Sequence, residues 1–218
     1  MPFVVAVSGF KESGKTTLCL DLLDRFRQAG LTVGFVKHSA GCHGGPLIAA
    51  DGDSGKGAGA AIPSLLWTDE GVRLEEARSF DIEEILFRFF PAVDVVVVEG
   101  AKFLPLPRVW VGPADPPGEV KGIFARYDHR TSGDLSRNLY GGGDEGLLAQ
   151  RIIDLCRKAE STGVALYGGR RRIPAKSFVA DFIAGGVLGM VSALKGAQWT
   201  RDGFSLFIRS KKEEGSDA

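Results

Sequence analysis

The chain has 218 residues, with 27 lysines and arginines against 27 aspartates and glutamates, so its formal net charge is zero. Charged residues at 25% and hydrophobic ones at 44% are ordinary globular values, which exclude a disordered or fibrous chain. The charge balance argues against whole-surface attraction to nucleic acid or to an anionic membrane, and the length suits one domain with at most a small appendage.

The N-terminus passes from Met1-Pro2 straight into the apolar run Phe3–Val7, with no basic segment or cleavage site, which predicts no signal peptide. Cys19, Cys42 and Cys156 are an odd set without paired spacing, the pattern of reduced thiols in a cytoplasmic protein. Val4–Ser8 reads as a buried strand. It leads into Gly9-Phe10-Lys11-Glu12-Ser13-Gly14-Lys15-Thr16-Thr17, which fits G-x-x-x-x-G-K-[ST], and then into an amphipathic helix over Lys15–Ala29.

That context makes the loop a phosphate cradle. Its glycines let backbone N–H groups converge on phosphate oxygens, and the helix N-terminus adds its dipole. Lys15 would reach the β- and γ-phosphates and the Thr16 hydroxyl would ligate Mg²⁺. Gly9, Glu12, Ser13, Gly14 and Thr17 complete the nucleotide-binding set on this loop. Dimeric positioning ATPases carry a second lysine directly after the first glycine; here that residue is Phe10.

Leu31–Lys37 and Ala61–Trp67 read as the second and third strands. Asp81–Phe90 has Ile82, Ile85, Leu86, Phe89 and Phe90 at helical spacing, with Asp81 placed as its cap. Val93–Val98 is a further buried strand that ends in Glu99-Gly100. Ligands of parallel sheets sit at the carboxyl ends of strands, so Glu99 could hold Mg²⁺ through water or orient an attacking water. Gly100 would leave room for a γ-phosphate, and the plain alternative for Glu99 is a solvated acid where a strand emerges. Val120–Arg126 reads as a later strand and Asp144–Ala159 as the helix after it.

Alternating strands and helices with β-branched runs predict an α/β fold: a P-loop NTPase with a mostly parallel sheet flanked by helices. The rhythm changes after residue 160. Val164–Tyr167 and Arg170–Ile173 read as a hairpin, Ser177–Leu194 as a helix and Phe204–Arg209 as a strand. The expected organisation is therefore a nucleotide-binding domain over 1–160, a small α+β (ββαβ) appendage over 161–210, and a flexible tail over 211–218. The apolar window Phe182–Leu194 is broken by Gly185, Gly186 and Gly189 and is too short for a bilayer, which predicts a buried helix. Arg170–Arg172 could meet an anionic phosphate or an acidic partner, or simply solvate the hairpin.

Four stretches now resemble the family of molybdopterin-guanine dinucleotide biosynthesis protein B, a P-loop GTPase family. They are Ser8–Thr17; Gly34–His38; Val96-Val97-Val98-Glu99-Gly100-Ala101-Lys102 with Pro105, Pro107 and Arg108; and Gly122–Asp128. Dethiobiotin synthetases share Glu-Gly after the strand but usually continue with more glycine. The resemblance implies that Lys37, His38 and Lys102 are substrate or switch residues near the nucleotide; a charged strand end is an equal reading of Lys37-His38. It implies that Asp53, within Asp51–Lys56, is an acid on the Mg²⁺ side, although its spacing to Gly59-Ala60 is compressed.

The loop 39–60 would then order when nucleotide binds. No N-K-x-D motif is present; Asp128 aligns with the family's terminal aspartate and could accept the guanine N1–H and N2–H, or could simply form a turn. Thirteen of the 30 glycines fall in the phosphate loop, between 41 and 59, and at 141–146, loops placed around or beside a nucleotide.

The function that follows is a cytoplasmic, homodimeric GTP-binding protein with weak GTPase activity. It would assist conversion of molybdopterin to its guanine dinucleotide form as adapter for the nucleotidyltransferase, with Lys15, Glu99 and Asp53 as the catalytic set and Thr16, Glu99 and Asp53 around Mg²⁺. The alternatives are a small-molecule kinase or ligase, with His38 or Asp53 as base, and a nucleotide-gated interaction module.

Overall fold

A computed structural model of the chain describes residues 2–39, 64–76, 80–91, 93–159, 164, 166–168, 171–195 and 206. In chain order the elements begin with β1 (Phe3–Gly9), α1 (Lys15–Gln28), β2 (Val33–Lys37), β3 (Ser64–Thr68), β4 (Gly71–Glu75) and α2 (Ile82–Phe89). Next come β5 (Val95–Glu99), β6 (Arg108–Val111), β7 (Ile123–Asp128), a 3-10 turn (Leu135–Arg137), β8 (Leu139–Gly141) and α3 (Glu145–Lys158). The last are β9 (Leu166–Gly168), β10 (Arg171–Ile173) and α4 (Ser177–Ser192).

Six strands form one sheet in the order β2-β5-β1-β6-β7-β8, and every pairing in it is parallel. The strand order reverses around β1, whose neighbours β5 and β6 leave on opposite sides. That reversal opens a crevice at the carboxyl end of β1, where ligands of such sheets bind.

The four valines of β5 explain its central place, because both faces are covered. Val95 and Val97 face a core with Val5, Val7, Leu22 and Phe26 and with Leu148 and Ile152 of α3. Val96 and Val98 face Leu86 of α2 and Ala101 on the other side. Full burial of each such side chain is worth roughly 1.5–3 kcal/mol. Asp81 caps α2 as its spacing predicts, its carboxylate accepting the Glu84 N–H at 2.7 Å.

The sequence reading differs from the structure in several places. The strand expected over Ala61–Trp67 does not join the parallel sheet; as β3 it pairs antiparallel with β4 in a separate two-stranded ribbon, closed by the turn Thr68-Asp69-Glu70-Gly71. The strands β4, β6 and β8 were not expected; β6 is four residues long, headed by an arginine and preceded by prolines, yet it lies beside β1. The later strand starts at Ile123 rather than Val120 and runs on through Asp128. The hairpin β9–β10 and the helix α4 fall where expected, but α4 is not the buried helix the apolar window predicts: Phe182, Leu188 and Met190 are exposed, and Ala180 is the buried residue of the helix. The strand expected over Phe204–Arg209 lies outside the described residues except for Leu206. No helix among the described residues is long and apolar enough to cross a membrane.

Gly34 in β2 shows how tight the packing beside β5 is. A Cβ built there would lie 2.5 Å from the Phe90 ring and 3.1 Å from Val96 Cγ2. Gly34→Ala is expected to cost about 1–3 kcal/mol through overpacking. Urea unfolding reads this directly, and an unchanged midpoint would mean that Phe90 does not close this side of the sheet.

Candidate functional site

The loop between β1 and α1 has the backbone its glycines allow. Gly14 caps α1 at φ 89°, and no side chain caps the helix, so its first N–H groups face the loop. Glu12 also adopts a left-handed conformation, φ 60°. Gly9 is required by contact: a Cβ there would stand 2.3 Å from the Val111 carbonyl oxygen and 2.7 Å from Ser13 Oγ. The Glu12 side chain itself turns outward to an exposed ion pair with Lys11 at 3.9 Å. Thr17 is exposed on the first turn of α1.

Lys15 lies over this loop, donating to the Phe10 carbonyl and, at 3.4 Å, to Ser13 Oγ. Burial lowers its pKa, Glu99 acts against that shift, and the charges of Lys102 and Lys37 add to it. Beneath it, burial pushes the Cys19 thiol up to about 12, so Cys19 is packing and not a nucleophile.

Glu99 ends β5 directly beside β1, in register with Val7 and with Lys37 of β2. Its carboxylate is 6% exposed as a residue; Oε1 accepts the Thr16 hydroxyl at 2.9 Å and lies 3.7 Å from Lys37 Nζ. The second oxygen, Oε2, is buried without a hydrogen-bond partner among the described residues. A hydroxyl and a buried carboxylate with one idle oxygen are the hard donors Mg²⁺ takes when phosphates and waters complete its shell. The residues present therefore fit that ion.

The turn after β5 is held from within. Gly100 at φ 93° and Ala101 at φ 47° are consecutive left-handed residues, and a Cβ on Gly100 would stand 2.7 Å from the His38 carbonyl oxygen. The fully buried Arg108 binds three carbonyls of this turn, those of Ala101 at 3.3 Å, Lys102 at 2.6 Å and Leu104 at 2.6 Å. It also donates at 3.0 Å to Ser8 Oγ, which in turn donates to the Gly100 carbonyl at 2.5 Å. No carboxylate pairs with it among the described residues; the carbonyl oxygens disperse its charge.

On the other side of β1, Asp128 ends β7 and is buried. Burial pushes its pKa up, but hydrogen bonds from the Arg130 side chain at 3.1 Å and backbone at 3.2 Å outweigh that and hold it below the usual range. His129 follows, its Nδ1 3.6 Å from the Cβ position of Gly14.

The structure thus gathers Gly9, Ser13, Gly14, Lys15, Thr16, Lys37, His38, Glu99, Gly100 and Lys102 at one end of the sheet. Asp128 lies at the same end beyond β6. Asp53 and the loop 40–60 lie outside the described residues. Sequence reasoning missed the architectural part of Arg108 and the position of His129 against the phosphate loop. The only signal for His129 was its place one residue past a strand end.

A sequence model of the family described as molybdopterin guanine dinucleotide synthesis protein B matches residues 4–116. A Bacillus subtilis (strain 168) protein described as a probable molybdopterin-guanine dinucleotide biosynthesis adapter protein is 33% identical over 117 residues, 50% of this chain and 64% of that one. The chain therefore spans just under two thirds of that curated relative. Among solved structures, a MobB protein homolog from Bacillus stearothermophilus is 23% identical, with a TM-score of 0.52 over 71% of this chain and 98% of its own. Bacillus subtilis MobB is 21% identical, with a TM-score of 0.51 over 71% and 97%. Both likenesses speak for the fold alone.

Replacing the buried guanidinium with an apolar side chain removes its bonds to three carbonyls; those of Ala101 and Leu104 keep the N–H groups of Leu104 and Leu106, and that of Lys102 keeps no other donor among the described residues. Arg108→Met is expected to lose about 1–3 kcal/mol of stability, the cost of leaving one such carbonyl unpaired. Denaturant unfolding measures it, and a loss below about 0.5 kcal/mol would show that the turn does not depend on this side chain.

Proposed function

The chain belongs to the molybdopterin guanine dinucleotide synthesis protein B family, and we propose that it is a GTP-binding adapter in the assembly of that dinucleotide. The observation that carries this reading is the Thr16–Glu99 pair beneath the phosphate loop, with Glu99 Oε2 buried and idle. Thr16 and Glu99 are the residues that would hold Mg²⁺, which supplies charge neutralisation at the β- and γ-phosphates when bound. Lys15 would exchange the Phe10 carbonyl for phosphate oxygens, and the N-terminus of α1 would face the same charge. Asp128, held ionised, would accept the guanine N1–H and N2–H once Arg130 yields it. Adenine lacks that donor pair.

Hydrolysis would be weak. The strand-end residues beside Gly100 are Lys37, His38, Ala101 and Lys102, none of them a glutamine or arginine able to position water or act as a finger. The role is then to hold nucleotide and present a surface to a molybdenum-cofactor nucleotidyltransferase, more than to turn GTP over. Molybdopterin would come with that partner.

The ribbon β3–β4 supports the assembly part of the reading. Its register sets Leu65 opposite Leu74 and Trp67 opposite Val72, so four apolar side chains share one face. All four are exposed, Trp67 to 81%. A lone two-stranded ribbon is marginal in water, and a second copy of the same ribbon is the self-complementary cover a homodimer would supply.

With Mg²⁺ present, the wild type is expected to bind GTP at least tenfold more tightly than ATP, and Lys15→Ala to lose binding by at least about tenfold, one charge-assisted contact being worth ~1.5–3 kcal/mol. Calorimetric titration checks both; a preference for ATP would refute the guanine reading. Trp67→Glu is expected to leave GTP affinity unchanged while converting the dimer to monomer in sedimentation velocity. A dimer that survives this substitution would place the interface elsewhere.

A further inference from the structure

The cations around the phosphate loop are not spent equally. Lys37 has Glu99 at 3.7 Å, whereas Lys15 and Lys102 have no carboxylate within ion-pair distance among the described residues. Both instead rest on Phe10: Lys15 Nζ on its backbone carbonyl, Lys102 Nζ 4.7 Å from the centroid of its ring. That ring is itself fixed, meeting the buried Trp110 edge-on at 5.5 Å and 90°. An ammonium from the first turn of α1 and one from the turn after β5 thus converge on one loop residue, with no carboxylate paired to either among the described residues.

We propose that Lys102 is a second phosphate-reading cation that distinguishes triphosphate from diphosphate, perched on the Phe10 ring until a γ-phosphate draws it off. This rests on the nucleotide-binding reading above and adds to it the residue that would read the terminal phosphate. The backbone geometry supports a swinging side chain on a fixed base. Arg108 holds the carbonyls of Ala101, Lys102 and Leu104, and Ser8 holds that of Gly100, so the main chain of the turn is tied to β1 and β6. The left-handed Ala101, a residue with a Cβ, marks a conformation that this tethering imposes.

The relative strengths decide the direction. A cation over an aromatic ring at a half-exposed site is worth only a few-fold in an equilibrium. An ammonium donating to a phosphate oxygen is worth about tenfold or more. A terminal phosphate therefore outcompetes the ring, while a diphosphate, held by Lys15 and the loop N–H groups, leaves Lys102 on its perch.

The test uses the full chain with Mg²⁺, a non-hydrolysable GTP analogue and GDP, titrated calorimetrically. Lys102→Ala is expected to weaken the triphosphate analogue about tenfold and GDP less than about twofold. Lys102→Arg keeps a donor and should retain most of the preference. Phe10→Leu preserves apolar bulk but removes the ring face, and should tighten the triphosphate about two- to fivefold with GDP unchanged. Equal weakening of both nucleotides by Lys102→Ala, no weakening of either, or a Phe10→Leu variant that binds the triphosphate no more tightly would overturn the inference alone. A wild type that binds neither nucleotide would overturn the reading on which it rests as well.

Discussion

The hydrogen bond from the Thr16 hydroxyl to Glu99 joins the first turn of α1 to the end of β5, 83 residues apart in the chain, and the site depends on it. It exists because β1 and β5 pair in parallel with Val7 opposite Glu99, so the loop after one strand and the acid ending the other leave the sheet side by side. The five valine and glutamate positions of β5 are all buried, which leaves the carboxylate little contact with bulk water. A buried acid with one satisfied and one idle oxygen is costly unless a cation shares it. Lys37 approaches from β2, and the idle oxygen leaves room for a second, harder cation brought with phosphate.

A buried guanidinium braces the same end of the sheet. Arg108 heads β6, where a charged residue would normally forbid a central strand, and burial lowers its pKa. The carbonyls of the left-handed turn at Gly100–Ala101 point into it and disperse its charge. The strain of that turn and the burial of that cation therefore offset one another, and neither feature makes sense alone. Together they set the position from which Lys102 reaches over Phe10.

What was legible in the sequence follows from the range of the interactions involved. The runs Val4–Ser8 and Val95–Val98 are continuous apolar stretches, and burial on both faces is a local property that composition reports. The phosphate loop and the Asp81 cap are likewise local, set by residues within one turn of each other. The strand β6 was hidden because its burial depends on carbonyls contributed by residues 101–104 and on pairing with β1 and β7. For β3 the strand tendency was readable, but its partner was not, since Thr68–Gly71 was not read as a tight turn that folds the chain back on itself. His129 and the Phe10–Trp110–Lys102 cluster are products of four strand ends meeting, and no spacing along the chain encodes that.

The central claim is that the crevice at the end of β1 is a Mg²⁺–guanine-nucleotide site organised around Glu99. A crystal structure of the chain with Mg²⁺ and a non-hydrolysable GTP analogue tests it most directly. The account predicts Lys15 released from the Phe10 carbonyl onto the phosphates, Glu99 Oε2 turned toward the metal's water shell, and guanine against Asp128. Phosphates bound elsewhere, or Lys15 still held by Phe10 with Glu99 Oε2 idle, would contradict it.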